Sequence, residues 1–108
     1  MSFMNPFRPQ AAGTESVAVS TTPLTAFQVS SAGNFYNMMA TWIGSIPCYV
    51  EFSTTGVTAT LPSSSAKGSF PLLPNVQQSL TVPPNCYVSA ITSAAAGGTL
   101  LLTPGDGF

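Results

Sequence analysis

From Ser16 to Thr103 the chain is cut by proline and glycine into short runs in which apolar and polar side chains alternate, and this period of two constrains the fold more than any motif does. Alternation of that kind describes strands with one face buried and one face wet. The clearest case is Cys48 to Ser53 (CYVEFS), with Cys48, Val50 and Phe52 on one face and Tyr49, Glu51 and Ser53 on the other. Further strands are predicted at Ser16 to Ser20, Thr25 to Ser30, Val57 to Leu61, Val76 to Val82, Cys86 to Thr92 and Thr99 to Thr103.

Asn34 to Ile43 (NFYNMMATWI) is dense enough in apolar residues to make a helical turn, but the flanking Gly33 and Gly44 and its aromatic residues favour a strand. Residues 62 to 69 (PSSSAKGS) read as a polar loop, and Phe70 to Asn75 (FPLLPN) is too rich in proline for a central strand. About eight short antiparallel strands at roughly 8 to 12 residue spacing, without a convincing helix, predict an all-β fold: a small β-sandwich or jelly-roll-like barrel. Residues 1–16 contain Pro6, Pro9 and Gly13 and show no period, so an extended N-terminal arm is expected before a single β-sandwich domain over residues 17–108.

The 108-residue chain has two basic and three acidic residues (Arg8, Lys67, Glu15, Glu51 and Asp106) and no histidine, against 44% hydrophobic residues. Soluble monomers usually cover themselves with charge, about a quarter of their residues. A surface of Ser, Thr, Asn, Gln, Gly and apolar side chains is expected when much of it is buried against other subunits. Binding to nucleic acid is not expected, because neutralising several phosphates takes Lys and Arg that the chain lacks. Membrane insertion is not expected either, since no uninterrupted apolar stretch reaches about 18 residues. The segment Met1 to Pro6 has neither the basic head nor the apolar run of a secretory signal, which predicts synthesis in a cytoplasm without export.

Catalytic constellations are hard to find. Ser64-Ser65-Ala66-Lys67 matches the serine and lysine spacing of some acyl-transfer enzymes, but it sits in a serine-rich, proline-flanked loop where nothing nearby would activate the lysine. Glu51 lacks a second carboxylate for paired acid and base work and reads as an outward strand residue, while Asp106 reads as a turn former. The two thiols, Cys48 and Cys86, are expected to be free and buried. They cannot make a metal site without histidine, so no cofactor is expected. Tyr36, Trp42, Tyr49 and Tyr87 raise the question of carbohydrate stacking, with Tyr49 and Tyr87 as a candidate exposed pair or subunit contact.

Over roughly residues 25 to 107 the chain resembles the small β-rich virion proteins of tailed bacteriophages, including capsid decoration and cement proteins. The likeness lies in Val50-Glu51-Phe52, Val57-Thr58-Ala59-Thr60, Leu80-Thr81-Val82-Pro83, Val88-Ser89-Ala90-Ile91-Thr92 and the closing run from Gly98 to Gly107. It departs at Ser53, where that group usually carries glycine, and in the methionine-rich segment Asn34 to Ile43.

The resemblance implies a structural role without catalytic residues: a homo-oligomer, with a trimer favoured by three-fold capsid sites, that contacts the major capsid protein or other virion proteins. Its place would be the virion surface, after synthesis in the host cytoplasm. Candidate partner-binding residues are Phe3, Met4, Phe7 and Arg8 in the arm, with Tyr36 and Trp42 in the body. The alternative is a tail or head-fibre module that binds a host glycan through Trp42 and the tyrosines.

Overall fold

The computed structural model describes residues 7–29, 36–95 and 97–106, which form nine strands and no helix. A five-stranded sheet holds β9 (Gly98–Asp106), β4 (Asn37–Gly44) and β7 (Gln77–Thr81) in that order, with β1 (Arg8–Pro9) and β2 (Glu15–Val19) sharing the outer side of β9. A four-stranded sheet has the order β3 (Phe27–Gln28), β8 (Tyr87–Thr92), β5 (Cys48–Ser53), β6 (Phe70–Leu72). Every pairing is antiparallel.

The pairings are nested. β5 meets β6 innermost, then β4 meets β7, β3 meets β8 and β2 meets β9, with the short β1 meeting the end of β9 outermost. A long hairpin whose two arms cross together from sheet to sheet gives this order, and it defines a jelly roll, the expected form of the β-sandwich.

The alternation read from the sequence becomes the core. Met38, Ala40 and Trp42 of β4, Leu100 and Leu102 of β9, Cys48 and Val50 of β5, and Val88 and Ala90 of β8 are all buried between the sheets. Large side chains face small ones across the ladders, as with Leu102 opposite Ala40 and Val50 opposite Ala90. Such alternation of large and small side chains on each inner face lets two sheets about 10 Å apart interdigitate. Each fully buried large apolar side chain contributes about 1.5–3 kcal/mol.

Three expectations change. Val57 to Leu61 is not a strand. Its alternation is real, with Ala59 buried between exposed Thr58 and Thr60, but the segment lies over the outer face of the four-stranded sheet, outside any ladder. Two serine hydroxyls take the backbone N–H groups a ladder would use: Ala59 N donates to Ser89 Oγ at 2.9 Å and Thr60 N to Ser69 Oγ at 3.0 Å.

The boundary between arm and domain also moves, because β1 and the first two residues of β2 belong to the five-stranded sheet, opposite Gly105–Asp106 and Leu101–Leu102. Proline at position 9 is tolerated there since the strand lies at an edge. Finally, β9 runs from Gly98 to Asp106, so Asp106 ends a strand, in register with Arg8, where a turn was expected.

Candidate functional site

Trp42, expected at a partner surface, lies fully inside the sandwich and must be withdrawn from that role. The β4 alternation turns it inward, its Nε1 donates to the Ile46 carbonyl at 2.6 Å, and its ring lies against Gly44 and Gly98, which stand opposite each other across β4 and β9. Phe7 is half-buried, and its ring packs on Gly105 of its own chain, where an added Cβ would come within 2.7 Å of Phe7 Cζ. Arg8 is exposed on β1, and Tyr36 is 58% exposed just before β4. Phe3 and Met4 lie outside the described residues.

Tyr49 and Tyr87 do not form a pair. Tyr49 stands opposite Ile91 and Tyr87 opposite Ser53, so four residues of strand, roughly 13 Å, separate them along the ladder. Both cysteines are free and buried. Burial pushes the Cys48 thiol up to about 12 from 9.0 and raises Cys86 as well. Lys67 stays in an exposed loop whose turn is closed by Ser63 N donating to the Ala66 carbonyl at 2.9 Å. Among the described residues no three His, Cys, Asp or Glu side chains converge, and no helix is long and apolar enough to cross a membrane.

The two outer faces of the sandwich differ sharply. On the four-stranded sheet, residues 54–69 form a strap over the face, held at two points by hydroxyls that both donate and accept. Ser89 Oγ donates to the Leu24 carbonyl at 2.7 Å while accepting from Ala59 N, and Ser69 Oγ donates to Glu51 Oε1 at 2.7 Å while accepting from Thr60 N. Glu51, the one carboxylate within β5, therefore fastens the strap.

The five-stranded sheet has no such cover among the described residues. Its outward rows follow from the register: Ala18, Thr99 and Ile43; Ser16, Leu101, Thr41 and Gln77; Thr103, Met39 and Ser79; and Asn37 with Thr81 beside Gly105. No outward position in these rows is charged. Ile43 is 52% exposed at the end of the face, Met39 and Leu101 are half-buried within it, and Phe7 adds its ring over Gly105. Threonine and glutamine hydroxyls and amides bond to one another around the apolar groups, with Thr14 and Thr103 Oγ1 atoms 2.7 Å apart and Gln77 Nε2 donating to Thr41 Oγ1 at 2.8 Å.

An apolar centre with a neutral polar rim is the anatomy of a contact surface. Its residues Met39, Ile43 and Leu101 were not singled out from the sequence as partner residues. The signal was present, because the alternation that turns Trp42 inward turns Met39, Thr41 and Ile43 outward. No protein-family model, curated protein or solved structure matches this chain.

Proposed function

We propose that this chain is a non-catalytic virion structural protein of the capsid decoration or cement type, homo-oligomeric and bound to the assembled shell of a tailed bacteriophage. The observation that carries the reading is the outer face of the five-stranded sheet, uncovered among the described residues, without a charge and centred on Met39, Ile43 and Leu101. A neutral face loses little when it is desolvated, whereas unpaired buried charge would cost several kcal/mol. Docking of that face on a major capsid protein, with the N-terminal residues reaching a neighbour, would stabilise the shell by mass action, since a subunit that binds only the assembled state lowers that state's free energy. At a three-fold position the bound form would be a trimer.

Jelly rolls also build lectin domains, so the fold alone does not choose between these roles. A host-glycan module would need an exposed aromatic platform, and the candidate platform loses Trp42 to the core while Tyr49 and Tyr87 stand apart.

The test is to add purified protein to shells lacking it and to quantify what remains bound after sedimentation, comparing wild type with Ile43→Lys and Leu101→Lys. Saturable binding by wild type and at least tenfold weaker binding by both variants, with unchanged circular dichroism, is expected. Variants that bind as well as wild type would overturn the reading.

A further inference from the structure

We infer that β7 is a self-pairing edge, through which two copies of this chain join their five-stranded sheets across a two-fold axis. The starting point is which backbone groups face outward. Trp42 N donates to the Val76 carbonyl at 2.9 Å and Val82 N to the Tyr36 carbonyl at 2.7 Å, which fixes the bonding row between β4 and β7. In an antiparallel pair the bonding residues alternate, so Gln78 and Leu80 turn their N–H and C=O toward β4, and Gln77, Ser79 and Thr81 turn theirs to the free side.

Among the described residues no strand pairs with that edge, and it is symmetric about Ser79. A second β7 laid antiparallel with Ser79 opposite Ser79 pairs both backbone groups of that residue reciprocally, and sets Gln77 of each copy opposite Thr81 of the other. Every outward N–H and C=O of the strand then has a partner. The side chains brought face to face are all neutral, and the exposed Gln77 and Thr81 can hydrogen-bond to each other, so no like charges meet.

The other edges are closed to such pairing. Pro71 removes an N–H from β6, and β3 is only two residues long, with Gln28 Nε2 tied to the Asn85 carbonyl. The side formed by β1 and β2 is interrupted by the turn at Ala12 and carries Glu15. Exposed edges invite association, and folds ordinarily blunt them with proline, charge or brevity. β7 has none of these.

The same side of the sandwich carries unburied apolar groups. β6 is the edge strand of the other sheet and leads into β7 through residues 73–76, and Phe70 and Leu73 there are 44% and 59% exposed. Pairing at β7 brings these groups toward their copies and adds apolar burial to the backbone bonds. The inference stands apart from the virion reading, since it concerns the isolated protein.

The experiment is sedimentation equilibrium of the purified protein over a range of concentrations, on wild type and two double variants at the exposed positions 77 and 81. Wild type is expected to be a dimer. Q77K/T81K sets lysines opposite one another twice in the paired register and should weaken dimerisation about tenfold at low salt. Q77E/T81K sets opposite charges together at the same positions and should dimerise at least as well as wild type. A monomeric or trimeric wild type, or equal dissociation constants for the two variants with native circular dichroism, would overturn the inference.

Discussion

The indole of Trp42 lies across Gly98 on the neighbouring strand, so close that a Cβ on Gly98 would stand 2.8 Å from the ring's Cη2 atom. Gly44, opposite Gly98 in the ladder, lies against the same ring, where its Cβ would come 2.7 Å from Cε2. The largest side chain of the core therefore occupies space that two glycines leave open.

Gly98→Ala is expected to destabilise the fold by about 1–3 kcal/mol, the usual cost of overpacking. The added methyl would also press on the Ile43 carbonyl, which cannot swing aside as a side chain could. Urea unfolding followed by Trp42 fluorescence reads the change, and a midpoint equal to that of wild type would show that the ring has room to move.

The strap should loosen when its hydroxyl clamp is removed. Ser69→Ala leaves Thr60 N without its acceptor and Glu51 without its donor, a loss of about 1–3 kcal/mol. The effect is local, so trypsin cleavage after Lys67 in the strap should accelerate at least several-fold while the far-ultraviolet circular dichroism stays native. Unchanged cleavage would place the hold on the strap elsewhere, at Ser89.

Ala12 has φ 52°, a left-handed conformation that costs a non-glycine residue about 1–2 kcal/mol. Replacement by glycine gives back part of this in unfolded-state entropy. Ala12→Gly is thus expected to stabilise the protein by about 0.5–1 kcal/mol in thermal unfolding. Asn85→Ala, at φ 54°, should destabilise it by about 1 kcal/mol, because asparagine tolerates that conformation better than alanine.

Burial of Cys48 makes stability fall in alkali. Its thiol titrates near 9.0 when unfolded and at about 12 in the fold, so the stabilisation is complete below pH 9 and is lost as pH rises from 9 toward 12. Over that window the loss from this group approaches about 4 kcal/mol. Cys48→Ala, although less stable at pH 7, should lose less additional stability between pH 9 and 11 than wild type. Parallel stability curves for the two proteins would count against the assignment. In the native state at neutral pH both thiols should resist alkylation.

Attachment to a shell should resist salt. Screening shortens from about 10 Å at 0.1 M to about 3 Å at 1 M ionic strength, yet the face argued to make the contact offers no charge to screen. Particles washed in 1 M NaCl are expected to retain the protein in its original ratio to the shell protein. Wholesale release by salt alone would assign the contact to Arg8, Glu15 or Lys67.

Much of the sandwich was readable because its strands are half-buried. Cys48–Ser53 is found at the expected bounds, since each inward residue there is apolar and each outward one carries a polar group. Val57 to Leu61 shows the limit of the same signal. Alternation reports a segment lying on a surface, and Ala59 against Ser89 satisfies it without a ladder. β1 left no trace because two residues, one of them proline, carry no period. Trp42 was misplaced for a different reason: its composition suggested a binding group, while its position in the alternation of β4 already turned it inward. The face left bare among the described residues was legible in the same alternation, but only the strap made it distinctive by covering the opposite side.

The nested pairing also favours an order of events. Residues 54–69 sit at the centre of the nest, so the contact of β5 with β6 closes the shortest length of chain, and each later pairing encloses the one before it. Entropy of closure favours zipping outward from that centre, which puts the meeting of Val17 with Leu100 late. Until that last step the outer side of β9 stands open in a chain with almost no charge to keep copies apart. The newly made protein is therefore most exposed to mispairing with its siblings just before its first strands arrive.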